Sequence, residues 1–298
     1  MRRDEFDCWA KDTLDTVEGA LERWVPSLAP AGLGEAMRYG VLDGGKRLRP
    51  LLVLSAAEAV GAHGSEAALR AACAVELIHA YSLILDDMPC MDNDVLRRGK
   101  PTVHVQFGQA RAMLAGDAMQ ALAFEVLTCE HDDAVPPALQ ARLCGLLARA
   151  AGQDGMAGGQ AIDLASVGQG LDEQALCDMH RRKTGALLQA SVMMGAACGR
   201  VDAAALAGLR DYGAAIGLAF QVMDDILDAT QASHTLGKTA GKDAHHNKPT
   251  YVTVLGLAAA QRRAHDLREQ AHAALARSGL RDAAWLSLLA DKVVERDC

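Results

Sequence analysis

The sequence predicts an all-α protein, a single domain spanning residues 1–298 and built as a bundle of about ten or more helices. Three observations carry this expectation. Half of the residues are hydrophobic but only 4% are aromatic, and alanine and leucine dominate over valine and isoleucine, a balance that suits helices better than strands. Apolar residues recur at helical spacing in one segment after another. The breaks between these segments are short and marked by glycine and proline, and no repeat, low-complexity tract or linker divides the chain.

From Asp4 to Trp24, the apolar positions Trp9, Leu14, Val17, Ala20, Leu21 and Trp24 give an amphipathic opening helix, which Pro26 and Pro30 end. Leu33 to Val41 is a second helix. Asp43-Gly-Gly-Lys-Arg-Leu-Arg-Pro50 then reads as a basic loop. Leu51–Val60 and Ala67–Asp87 are strongly apolar helices, and Pro89 disfavours helix at Met88. Helices follow over Gln109–Cys129 and Leu139–Ala150, and the glycine-rich stretch 152–159 leads into another around Gln160–Asp163. Glu173–Cys198 and Leu206–Asp228 are long and apolar, 229–249 is a polar loop, and Tyr251–Ala276 and Ala283–Val294 close the chain.

The formal charge of −8 and the pI near 5.7 speak against general nucleic-acid binding, so any anion site must be local. The eight cysteines (Cys8, Cys73, Cys90, Cys129, Cys144, Cys177, Cys198 and Cys298) show no C-x-x-C spacing, lie mostly inside apolar segments and read as reduced core residues of a cytoplasmic protein. The N-terminus has acids where a signal peptide would be apolar, and no run reads as a membrane span.

Two acidic clusters organise the chain. Asp86, Asp87, Asp92 and Asp94 end one apolar helix, and Asp224, Asp225 and Asp228 end another. A lone acidic helix end is by default a solvated face. Two in one chain, each followed by basic residues, reverse that reading. Asp224 and Asp228 stand i and i+4, about 40° apart on one face, close enough to share a cation. Asp86 and Asp92 are roughly 120° out of alignment on a straight helix and converge only if the helix bends near Pro89. Mg²⁺ is commonly held by one or two carboxylates plus substrate phosphates. Lys46, Arg47 and Arg49, then Arg97 and Arg98, then Lys183, Lys238, Lys242 and Lys248 could surround such a phosphate group. No P-loop is present. A metal between acids, a diphosphate on the metal and an apolar hole behind it describe an isoprenoid substrate.

The sequence resembles the trans-isoprenyl diphosphate synthases, and within them the bacterial short-chain type that makes farnesyl diphosphate. The resemblance covers nearly the whole chain. It is carried by Gly-Gly-Lys-Arg-Leu-Arg-Pro at 44–50, Glu-Leu-Ile-His-Ala-Tyr-Ser at 76–82, Asp-Asp-Met-Pro-Cys-Met-Asp at 86–92, Leu-Arg-Arg-Gly at 96–99, Lys-Thr-Gly at 183–185 and Phe-Gln-Val-Met-Asp-Asp-Ile-Leu-Asp at 220–228. It implies the isoprenoid synthase fold, helices around a central apolar cavity, and a homodimer. It also implies that Lys46, Arg49, His79 and Arg98 bind isopentenyl diphosphate, and that Arg97, Lys183, Thr184, Gln221 and Lys238 bind the allylic diphosphate. Asp86, Asp87, Asp92 and Asp224 would ligate up to three Mg²⁺ ions, with Asp225 and Asp228 beside them as metal-site acids, and Lys248 matches a further family lysine. The implied reaction joins isopentenyl diphosphate to dimethylallyl or geranyl diphosphate by ionisation, condensation and proton loss, without a protein nucleophile.

Product length is expected to depend on the cavity floor below Asp86. Tyr81 matches the bulky family residue that stops growth at farnesyl, yet an ideal helix turns it about 140° from Asp86 and Ser82 only about 40°. The wheel selects Ser82; the resemblance selects Tyr81. Alternatives are a geranylgeranyl or geranyl diphosphate synthase, a non-catalytic synthase subunit and a terpene cyclase. A lone subunit would typically lose acids, and a cyclase would not need Lys46, Arg49 and His79. Leu85 departs from the histidine that relatives often carry, and Val95 from a common acid. His245-His246 reads as solvated. Glu295-Arg-Asp-Cys298 is acidic where family tails are often basic, which weakens the case for the tail closing the site.

Overall fold

The computed structural model describes residues 3–42, 44–128, 134–230 and 249–296, and these are almost wholly helical. The helices are α1 (Arg3–Trp24), α2 (Leu33–Val41), α3 (Leu48–Ala59), α4 (Glu66–Asp86), α5 (Val103–Phe107), α6 (Gln109–Leu127), α7 (Pro137–Ala151), α8 (Met156–Ala165), α9 (Glu173–His180), α10 (Ala186–Ala197), α11 (Ala203–Thr230), α12 (Tyr251–Leu255), α13 (Leu257–Ser278) and α14 (Ala284–Val294). A two-residue hairpin pairs β1 (Leu96–Arg97) with β2 (Lys100–Pro101). Lys238, Lys242, Lys248, His245-His246, Cys129 and Cys298 lie outside the described residues. Cys73 and Cys177 are buried, but Cys8 and Cys90 are exposed and so do not belong to the core expected of the cysteines.

Helix α4 is the central post. The Ser65 hydroxyl accepts from the Ala68 N–H and caps its start. The helix then runs apolar on nearly every side, as a helix surrounded by others must. Its length and composition would let it cross a membrane, contrary to the sequence expectation, but 72% of the apolar window is buried inside the protein. It packs against α6 on one side and α3 on another, while α10 bridges α3 and α11, and α13 lies along α11. One apolar cluster joins α4 to α1, α2, α6 and α7; a second joins α3 to α9, α10, α11, α13 and α14.

Local chemistry explains where the elements differ from the sequence expectation. The basic stretch is helical from Leu48, because Pro50 falls in the first turn, where its missing N–H costs nothing. Arg47 precedes that helix at φ 43° and turns inward, its guanidinium bonded to Glu18 (2.6 Å), Glu76 (2.7 Å) and the Val41 carbonyl (2.5 Å). It thus neutralises a glutamate buried within α4 and does not join the cavity cations. The predicted helix 251–276 is split at Gly256, whose φ of 80° favours glycine. Between α9 and α10 the chain makes a π turn, Arg181–Gly185.

The two ends of the chain are fastened together. Trp9 of α1 stacks on Trp285 of α14 with centroids 5.0 Å apart, and both indole N–H groups donate to Glu58 (2.9 and 3.1 Å). Lys292 pairs with Asp7 at 2.6 Å. These contacts fix the direction in which the chain leaves α14.

Candidate active site

The carboxyl ends of α4 and α11 face one another across a cavity of about 600 Å³, with α8 and the π turn as its other walls. Asp86, Asp92, Asp224, Asp225 and Asp228 all line it. So do Arg49, His79, Arg97, Arg98, Lys183, Thr184, Gln221, Tyr81 and Ser82. Of the described site candidates named from sequence, Lys46, Arg47 and Asp87 stand apart from the lining; Lys46 is exposed.

No bent helix brings Asp86 to Asp92. Helix α4 stops at Asp86, and a tight turn follows in which the Asp92 N–H donates to the Asp86 carbonyl (2.9 Å) and the Asp94 N–H to the Asp87 carbonyl (3.1 Å). The turn separates the adjacent acids. Asp86 meets the cavity, where the Gln160 amide donates to its carboxylate. Asp87 turns away, is 2% exposed, and receives both Nε and Nη2 of Arg97 at 2.6–3.0 Å. Burial raises the Asp87 pKa, with Arg97 opposing.

The hairpin separates the two arginines in the same way. Arg98 and Gly99 take positive φ values of 51° and 76° at its turn, which sends Arg97 to Asp87 and Arg98 to the Gly44 carbonyl. Gly45, at φ 122°, leaves room for that guanidinium, since a Cβ there would lie 2.6 Å from Arg98 Nη2. Arg49 is buried and His79 half-buried beside it. Burial, followed by the charges of Arg49 and Arg98, pushes the His79 pKa well below its usual value, and burial lowers that of Arg49.

On the opposite wall, α8 contributes two residues that sequence reasoning missed, Gln160 and Asp163. Asp163 is 5% exposed and pairs with Lys183 at 2.6 Å. The pair can form because Gly159 lets α8 approach the π turn; a Cβ there would be 2.1 Å from the Lys183 nitrogen. The available signal was a pair of polar residues at i and i+3 in an otherwise apolar glycine-rich helix. Thr184 donates to Gln221 (2.9 Å), Gln221 donates to Asp225 (2.9 Å), and the Tyr251 N–H donates to the other oxygen of Asp225 (2.8 Å).

Arg296 was also missed. Its guanidinium donates to Asp224 (2.7 Å) and to the Phe220 carbonyl (2.6 Å), and lies 4.1 Å from the Phe220 ring centroid. An arginine just beyond α14 therefore reaches the second acidic cluster despite the acids around it. Among the described residues, no three His, Cys, Asp or Glu side chains converge as a metal cage. The carboxylates have been drawn to nitrogen partners instead: Asp86 to Gln160, Asp87 to Arg97, Asp163 to Lys183 and Asp224 to Arg296.

The fold and cavity define an all-helical enzyme that sets two carboxylate clusters and several cations around one pocket. Residues 30–280 match the polyprenyl synthetase family model. The farnesyl diphosphate synthase of Geobacillus stearothermophilus is 45% identical over 94% of both chains. Geranylgeranyl pyrophosphate synthase 9 of Arabidopsis thaliana, a chloroplastic enzyme, is 47% identical over 90% of this chain and 75% of its own. The Helicobacter pylori geranyltransferase, whose crystal structure was determined with magnesium and isoprenyl diphosphate, superposes with a TM-score of 0.83 at 32% identity, covering 96% of this chain and 95% of the other. The chain belongs to the polyprenyl synthetase family, and it is a trans-prenyl diphosphate synthase.

Proposed function

We propose that this enzyme is a cytoplasmic, Mg²⁺-dependent farnesyl diphosphate synthase. It condenses isopentenyl diphosphate with dimethylallyl and then geranyl diphosphate to give (2E,6E)-farnesyl diphosphate. The observation that carries this reading is a single cavity with acidic ends of two helices at its mouth and Tyr81, 8% exposed, in its wall.

Asp86, Asp92, Asp224 and Asp228 offer the hard oxygen donors that magnesium takes, and the Arg296 guanidinium on Asp224 supports a preference for positive charge there. When bound, the metal supplies charge neutralisation for a departing diphosphate. The chain's own residues do the rest. Lys183, Thr184 and Gln221, with Arg97 and Lys238, hold the allylic diphosphate. Arg49, His79 and Arg98, with Lys46, hold isopentenyl diphosphate. Tyr81, Ser82, Leu85 and Phe220 give the growing chain and its carbocation a wall that excludes water. Diphosphate leaves, the isopentenyl double bond attacks the allylic carbon, and the proton lost afterwards passes to the released diphosphate. Residues 1–298 form one domain in this reading. Val105, Met113 and Leu114, each about half exposed along α5 and α6, support a homodimer contact.

Geranylgeranyl diphosphate is the second reading, favoured by the identity to the chloroplastic geranylgeranyl synthase. The deciding assay supplies isopentenyl diphosphate, dimethylallyl or geranyl diphosphate and Mg²⁺, then resolves product lengths for wild type and Tyr81→Ala. Farnesyl from wild type and longer products from the variant are expected. Geranylgeranyl from wild type would select the second reading, and unchanged products in the variant would remove Tyr81 as the floor.

A further inference from the structure

One buried histidine lines the cavity with none of the roles above. His180 ends α9 where the π turn begins and is 6% exposed, and neither ring nitrogen has a hydrogen-bond partner. Its ring packs face-on against Tyr251, with centroids 5.5 Å apart and planes 26° from parallel. Its Nε2 stands 3.8 Å from Asp225 Oδ2. Buried polar groups are rarely left unpaired, and when they are, a ligand-dependent partner is one physical reason.

The neighbours suggest that partner. Thr184 in the π turn bonds Gln221, Gln221 bonds Asp225, and Asp225 accepts from the Tyr251 N–H. Tyr251 stacks on His180, which precedes the same π turn. The circuit ties the π turn, α11 and the start of α12 together, and its missing link is His180 to Asp225. That gap exceeds hydrogen-bond distance by less than about 1 Å. Hydrogen bonds of an active site are often long without substrate and shorten when it binds. Burial keeps the imidazole uncharged, so one N–H remains available to donate.

We propose that His180 is a positioning residue: when a diphosphate seats between the π turn and α11, its Nε2–H closes onto Asp225 and locks those two walls together. The inference rests on the diphosphate-binding reading above. It makes His180 a reporter of an occupied cavity, acting through Asp225 without touching the reacting carbons.

The test compares wild type, His180→Phe and His180→Gln by thermal unfolding and by titration calorimetry with inorganic pyrophosphate and Mg²⁺. Phenylalanine keeps the stack on Tyr251 and removes the N–H, whereas the glutamine amide can reach the same oxygen. His180→Phe is expected to melt at or above the wild-type temperature without ligand, because no polar atom is stranded. Its pyrophosphate affinity should fall about fivefold to tenfold, the worth of one hydrogen bond, with a smaller ligand-induced rise in melting temperature. His180→Gln should recover most of the loss. Wild-type affinity in His180→Phe would overturn the proposal, as would a lower ligand-free melting point with an undiminished ligand increment, the signature of a purely structural residue. Absence of pyrophosphate binding by wild type itself would instead sink the functional reading, and this inference with it.

Discussion

Removing the charge of Arg97 should cost much more stability than removing the charge of Asp87, although the two belong to one ion pair. The reason is their unequal burial. The Asp87 side chain is 3% exposed and the Arg97 side chain 33%. In Arg97→Met, a carboxylate that held two nitrogens at 2.6–3.0 Å is left inside the protein without a counter-charge. Breaking a buried pair from one side typically costs about 3–5 kcal/mol, and the lower end applies because Asp87 can escape by taking up a proton. In Asp87→Asn, the guanidinium can still turn to water and the amide can still bond it, so the loss should be about 1–2 kcal/mol. With roughly 2 °C per kcal/mol for a chain of this size, Arg97→Met should lower the melting temperature by about 6 °C and Asp87→Asn by about 2–4 °C. The assay is urea unfolding of metal-free protein at neutral pH in a double-mutant cycle. Asp87→Asn/Arg97→Met should be more stable than the sum of the single losses predicts, by at least about 1.5 kcal/mol. Additive losses, or a greater loss in Asp87→Asn than in Arg97→Met, would refute the claim that Asp87 serves in this state as the anchor of the hairpin.

Two more outcomes follow from named groups. His180, its pKa lowered by burial from 6.5 to about 4, is neutral in the fold but takes up a proton once unfolded, so acid favours unfolding; stability should decline as pH falls below 6.5 and level off below about 4. At about pH 5.5 the loss from this group is about 1.4 kcal/mol, His79 adds to it in the same direction, and calorimetric melts of metal-free His180→Phe should show a shallower acid slope; an identical slope would contradict the assignment. Arg296→Ala should lower the Mg²⁺ concentration needed for half-maximal activity by about twofold to fivefold, since the guanidinium competes for Asp224, and an unchanged or increased requirement would show that it does not.

The sequence by itself determined the helical class, most element positions, the family, and most of the charged and polar residues that meet in the cavity. It could do so because helix periodicity is local and because the motifs lie at the ends of apolar helices, where polar side chains have only the mouth of the bundle to occupy. Tertiary structure decided which partner each polar group takes. Asp86 and Asp87 are adjacent acids with the same local chemistry, yet the turn after α4 aims one at the cavity and the other at Arg97. Gln160 and Asp163 gained their roles where Gly159 lets α8 close against the π turn, and Arg296 meets Asp224 just beyond α14, which the paired tryptophans hold against α1. The wheel could not choose between Tyr81 and Ser82, and the structure sets both on the cavity wall. Charge and periodicity are properties of a segment, but a hydrogen bond needs two groups within about 3 Å, and that distance is set by packing between helices far apart in the chain.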